Sequence, residues 1–195
     1  PYTTLFRSQI SINGQDIKKI PQKELRDKIG FVPQKAFLFS GTIEENIRYG
    51  KEDASIEEVK HAASIAQADE FISDMEDKYD SFVAQGGNNL SGGQKQRISI
   101  ARALVRKPEV YVFDDSFSAL DFKTDKRLRK ALKNEIKDSS AIIIAQRIST
   151  IMDANQIIVL NDGKIVGIGK HKDLLENCEV YKQIADSQLS KEELA

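Results

Sequence analysis

The sequence predicts an α/β fold on a parallel sheet, and three observations carry that reading. Short apolar runs rich in strand formers, Ile29 to Val32, Val110 to Phe113 and Ala141 to Ala145, are separated by long stretches with helical apolar spacing. The second run stops at two adjacent carboxylates, Asp114 and Asp115, and the third at a polar pair, Gln146 and Arg147. In open α/β sheets that carboxyl end is where ligands sit. Between the first two runs the pattern is almost wholly helical, which predicts a core of residues 9–34 and 107–189 interrupted by a helical subdomain at about 35–106.

In chain order, Gln9 to Ile12 reads as a strand turning at Asn13-Gly14. Gln22 to Lys28 reads as a short helix, and Ile29 to Val32 as a buried strand closed by Pro33. Helices follow at Thr42 to Arg48, at Ser55 to Gln67, which opens on the capping box Ser55-Ile56-Glu57-Glu58, and at Asp69 to Met75. Ile56, Val59, Ala63 and Ala66 recur at helical spacing and read as packing positions. A further helix starts at Ser91 and ends before Pro108. Val110 to Phe113 reads as a buried parallel strand. Gln156 to Leu160 and Lys164 to Ile168 flank Asn161-Asp162-Gly163 as a hairpin. Lys170 to Ser187 closes the chain as one helix with Leu174, Leu175 and Ile184 inward, and 190–195 read as a frayed tail. Pro1 to Ser8 look like a translated sequencing adaptor and are set aside as a non-native leader.

With 195 residues, 40% of them hydrophobic and 30% charged, the chain suffices for one domain with a real core. Its 29 basic and 30 acidic residues nearly cancel, which gives no electrostatic case for nucleic acid or a membrane surface. No apolar stretch approaches the ~20 residues that span a bilayer. The single Cys178, set among polar residues, reads as an incidental thiol that fits a reducing cytosol. His61 and His171 fall on helices away from the motifs and read as surface residues.

The densest chemical signal is Leu90-Ser91-Gly92-Gly93-Gln94. A hydroxyl and two side-chain-free amides at a helix start make an anion site, because unpaired N–H groups and the helix dipole point beyond the terminus. Phosphate is the obvious guest. The alternative is that Ser91 merely caps the helix and the glycines merely turn the chain. Val110 lies sixteen residues after Gln94, and a carboxylate at the end of its strand is well placed to hold magnesium. A chance Asp pair in a loop is the alternative there.

Together these residues resemble the nucleotide-binding domain of an ATP-binding cassette (ABC) transporter, a RecA-like P-loop NTPase core with an inserted helical subdomain. Leu90 to Gln94 match the signature, Val110 to Asp114 the Walker B strand, and Ser118 to Asp121 the D-loop. Phe31-Val32-Pro33-Gln34 match the Q-loop, and Leu38 to Ile47 the stretch that follows it in exporters. Ser91 lies only 57 positions after Gln34, too few for the long coiled coil of the chromosome-maintenance ATPases that share these motifs. The resemblance implies ATP and Mg2+ as cofactors, with Asp114 and Gln34 at the metal. It implies Ser91, Gly92, Gly93, Gln94 and Asp121 at nucleotide, and Asp115, Gln146 and Gln34 in catalysis.

Two departures matter. The family usually has glutamate after the Walker B aspartate, as presumed general base, where this chain has the shorter Asp115; its switch histidine is replaced by Gln146, which cannot carry a proton. Losing a placed base costs on the order of 10²–10⁴ in rate. The site formed by this chain's own Walker B is therefore expected to bind ATP and scarcely hydrolyse it. Because two such domains pair head to tail, the intact signature is expected to serve a second, non-identical domain in a heterodimeric exporter. A P-loop, G-x-x-x-x-G-K-[ST], does not occur in these residues, and the resemblance places it before Gln9, so that the fragment alone should bind ATP poorly. Phe37, Leu38 and Phe39 read either as the docking surface of a transmembrane domain, which would hold the protein at the cytoplasmic face of a membrane, or as core. The alternative function is a soluble ABC-family regulatory module without a transport role.

Overall fold

The computed structural model describes residues 9–189; the leader expected at 1–8 and the tail expected at 190–195 lie outside them. β1 (Ser11–Ile12) and β2 (Gln15–Asp16) pair antiparallel around Asn13 and Gly14, both at positive φ (50° and 78°), as a two-residue hairpin turn requires. α1 (Gln22–Asp27) leads into β3 (Ile29–Val32). The chain then runs through β4 (Gly41–Thr42), α2 (Ile43–Arg48), α3 (Ile56–Ile65), α4 (Asp69–Ser73), β5 (Phe82–Val83) and α5 (Gly92–Val105). Thr42, Ser55 and Ser91 cap α2, α3 and α5, each in a reciprocal capping box with the residue three positions on. β4 pairs antiparallel with β5, which the sequence does not announce because two residues per strand are too few for alternation to register.

β6 (Val110–Asp114), α6 (Phe122–Glu135), β7 (Ser140–Ile144) and α7 (Ile148–Ile151) complete the sheet region. β3, β6 and β7 form a parallel sheet in that order, with Val32 opposite Phe113 and Phe113 opposite Ile143. The expectation of buried strands holds for one face only. Val32, Tyr111 and Phe113 point into the core, whereas Phe31 is 56% and Ile142 54% exposed. Successive residues of a strand face opposite sides, and the buried residues of α2, α3, α5 and α6 join the sheet in one cluster on a single side.

That cluster runs from Val32 through Leu38, Ile47, Val59 and Ile98 to Leu132, so the helices between β3 and β6 share one core with the sheet. A second core is built by β8 (Ile157–Asn161), β9 (Lys164–Gly169), α8 (His171–Asn177) and α9 (Glu179–Gln188), together with Ile148. Here the single helix expected over Lys170 to Ser187 is corrected to two. Cys178 is extended (φ −128°, ψ 101°) between them. The break drops its thiol into the second core, where the bare Gly167 makes room: a Cβ on that glycine would stand 2.8 Å from Sγ. Cys178 is thus a core residue rather than an incidental thiol among polar neighbours. Leu174 is buried as expected, but Tyr181 and Ala185 carry the burial of α9, while Leu175 and Ile184 are only partly buried. His61 is exposed and bonds Glu135 at 2.9 Å, whereas His171 is half-buried with Nδ1 2.8 Å from the Tyr181 hydroxyl. Among the described residues no helix is long and apolar enough to cross a membrane.

Candidate functional site

The tips of the three parallel strands converge on one carboxylate. Asp114 ends β6, and Asp115 adopts φ 45°, a left-handed conformation that Asp tolerates better than most residues and that turns the chain off the strand. Its backbone is held from both sides. Asp115 N donates to the Ile144 carbonyl at 2.9 Å, and Ser118 Oγ donates to the Asp115 carbonyl at 2.8 Å. Gln34, just past β3, and Gln146, just past β7, each donate from Nε2 to Asp115 Oδ2 at 3.1 Å. Two donors fill the lone-pair sites of that oxygen, so a water approaching the carboxylate would meet Oδ1.

Side chains that no motif announces hold this arrangement. Ser116, fully buried, donates from Oγ to the Val32 carbonyl at 2.9 Å and ties the end of β3 to the end of β6. Gln188, on α9, donates to the Gln146 carbonyl and accepts from Ile148 N, both at 2.9 Å, clamping the backbone on either side of Arg147. A glutamine on an exposed helix end gives no sequence signal of such a role.

Ser91, Gly92, Gly93 and Gln94 form a second group at the N-terminus of α5. Ser91 Oγ accepts from Gln94 N at 3.2 Å and Gln94 Oε1 accepts from Ser91 N at 2.9 Å, so both side chains serve as caps. The Gly92 and Gly93 amides of the first turn still point outward without intrahelical partners. A Cβ on Gly92 would meet nothing within 4 Å, while one on Gly93 would stand 3.3 Å from the Ala119 carbonyl, in the loop that leads to Asp121. Asp121 itself caps α6: Oδ1 accepts from Thr124 N at 3.0 Å, and the Thr124 hydroxyl first and then this amide hold its carboxyl below the usual range.

Residues 4–118 match the ABC transporter family. The chain belongs to that family. It is 47% identical over 184 residues to the uncharacterized ABC transporter ATP-binding protein YfiB of Bacillus subtilis, covering 94% of this chain and 32% of that protein. It is 44% identical over 190 residues to the putative ABC transporter ATP-binding protein MG014 of Mycoplasma genitalium, covering 92% and 30%. A solved bacterial Atm1-family ABC exporter with ATP bound superimposes with a TM-score of 0.91 at 39% identity, over 95% of this chain and 33% of that one. The chain therefore spans about a third of the length of the relatives it matches. It is part of an ABC ATP-binding domain, and its fold is that of the P-loop NTPases.

ABC ATPases work with ATP and Mg2+, and the donors here suit that ion. Asp114 offers a carboxylate, and Gln34, which spends an N–H on Asp115, keeps its amide oxygen as a hard ligand. Among the described residues no group of three or more His, Cys, Asp or Glu gathers for a metal; Mg2+ needs only one or two protein oxygens beside water and phosphate.

The Phe37 to Phe39 segment of this ABC domain is split. Leu38 is fully buried in the core, while Phe37 (50%) and Phe39 (39%) stay exposed. Phe39 packs on Phe37 and on Tyr49, with ring centroids 5.4 Å and 4.4 Å away. Two polar residues that the motif reading missed fix this loop. Asn46, 2% exposed, bonds both Phe39 N and Phe39 O at 2.9 Å. Arg102 donates to the Phe37 and Asn46 carbonyls and to Asn46 Oδ1, and lies over the Phe39 and Tyr49 rings. Burial pushes its guanidinium down to about 10, which leaves it charged at neutral pH.

Proposed function

We propose that this chain is the ATP-binding part of one half of a heterodimeric ABC exporter, in which its own Walker B site binds ATP with Mg2+ and hydrolyses it weakly. Asp114 and Gln34 would hold the ion, which when bound neutralises phosphate charge. Asp115 would orient the attacking water. The observation that carries this reading is the double engagement of Asp115 Oδ2 by Gln34 and Gln146. A carboxylate one methylene short, drawn to the strand tips by two amides, is poorly placed to take a proton from water beyond them. Gln146 spends one of its two Nε2 hydrogens on Asp115 and keeps the other for a terminal phosphate, but it cannot carry a proton.

In this reading the Gly92 and Gly93 amides and the Ser91 hydroxyl serve the nucleotide of a non-identical partner domain, which supplies the longer acid and the histidine. Exposed Phe37 and Phe39 would receive a transmembrane domain and hold the assembly at the cytoplasmic face of a membrane. The test is ATP turnover by the full-length pair carrying Gly92→Asp. Space around Gly92 is open, so the variant folds and sets a carboxylate against phosphate. Loss of turnover is expected; unchanged turnover refutes the proposal.

A further inference from the structure

Gln96 is a polar residue only 2% exposed, in the second turn of α5. Its Nε2 donates to the Pro33 carbonyl at 3.1 Å, across 63 positions of sequence. A buried amide is costly unless bonded, so the pair is held tightly. That carbonyl belongs to the planar peptide joining Pro33 to Gln34, and fixing its oxygen fixes the plane from which the Gln34 side chain departs. Gln34 in turn donates to Asp115. At its other end Gln96 shares a rigid helix with Ser91 to Gly93, and the neighbouring Arg97 donates from Nε to the Gly93 carbonyl at 3.3 Å.

We propose that Gln96 is a positioning residue that couples the two nucleotide sites: it ties the helix whose N-terminus serves the partner's nucleotide to the peptide that aims Gln34 at this chain's own. The inference rests on the paired-site reading above. Movement of α5 as its N-terminus engages a phosphate pulls the Pro33 carbonyl with it and re-aims Gln34. By linkage, occupancy at Gln34 biases α5 by the same coupling free energy.

The experiment measures ATP turnover of the full-length pair in lipid vesicles, for Gln96→Met, Gln96→Glu and the control Gly92→Asp. Gln96→Met keeps the volume and loses the donor. It is expected to leave KM within about twofold, lower kcat about tenfold, and abolish cooperativity in the ATP dependence. Gln96→Glu should regain turnover as pH falls, since only its protonated form has an O–H for Pro33. A purely structural role would lower the melting temperature without that pH profile. If Gly92→Asp abolishes turnover while both Gln96 variants keep the parental kcat, cooperativity and pH profile, the coupling is overturned alone. If Gly92→Asp leaves turnover intact, the paired-site reading falls and takes the coupling with it.

Discussion

Gln146 donates to Asp115 Oδ2 at 3.1 Å, so the two positions at which this chain departs from the ABC pattern are bonded to each other. The short acid and the amide satisfy one another across the tips of β6 and β7. A longer acid anchored at the same Cα would reach past that contact, and a histidine would place a ring nitrogen where the amide now sits. The two positions therefore form one bonded arrangement that engages Oδ2 of the acid, together with Gln34, and leaves Oδ1 to water.

Restoring both should reverse the effect. Asp115→Glu with Gln146→His is expected to raise turnover at this chain's own site by on the order of 10²–10³, with less than the sum of the single effects because both act on one proton transfer. Single-turnover ATP hydrolysis, with the partner's site disabled, measures it. An unaltered rate in the double variant would show that the local acid does not limit that site.

Much of this fold was legible because its signals are local. The capping box at Ser55, the Asn13-Gly14 turn and the apolar runs of β6 and β7 each need only a few consecutive residues to show themselves. Convergence of Gln34, Asp115 and Gln146 on one oxygen was not legible, since Gln34 lies 81 positions before Asp115 and Gln146 31 after it, and only the parallel register of β3, β6 and β7 brings them together. The break at Cys178 was hidden for another reason. The apolar spacing of Leu174, Cys178 and Tyr181 continues almost in helical phase through a single extended residue, so periodicity alone joins α8 to α9. Buried Asn46 and Gln96 were invisible because a polar residue in a helix ordinarily faces water, and only the packed loops beside them supply their partners.

Leu38 and Phe37 should separate stability from coupling. Leu38→Ala removes a fully buried side chain and is expected to cost about 2–5 kcal/mol in denaturant unfolding. Phe37→Asp alters a half-exposed ring and should change stability by no more than about 1 kcal/mol while weakening the dependence of transport on ATP turnover. A Phe37→Asp protein that unfolds would assign that ring to the core.

Arg102 should prove structural in a way its sequence position hides. Arg102→Met keeps much of the stem but strips donors from the Phe37 carbonyl, the Asn46 carbonyl and Asn46 Oδ1. Unsatisfied acceptors and a loosened aromatic loop should cost about 2–4 kcal/mol, measured by denaturant unfolding. Loss confined to transport, with unfolding unchanged, would refute this.

Acid should weaken the fold through carboxylates that are hydrogen-bonded in the native state. Glu58 is held below its ordinary value of 4.5 first by the Lys51 ammonium and then by Ser55 N, and Glu109 first by Lys28. Asp121 is held below 3.8 by Thr124. For such depressed groups the folded state keeps the proton off while the unfolded chain takes it up, so their stabilisation is complete above the unfolded values and disappears as pH falls through the folded ones. The melting temperature should be insensitive to these groups between about pH 6 and 8 and drop below about pH 4. Glu58→Gln cannot titrate, so it should lower the neutral-pH melting temperature and flatten the acid limb; an acid limb as steep as the parent's would mean that other carboxylates carry the loss.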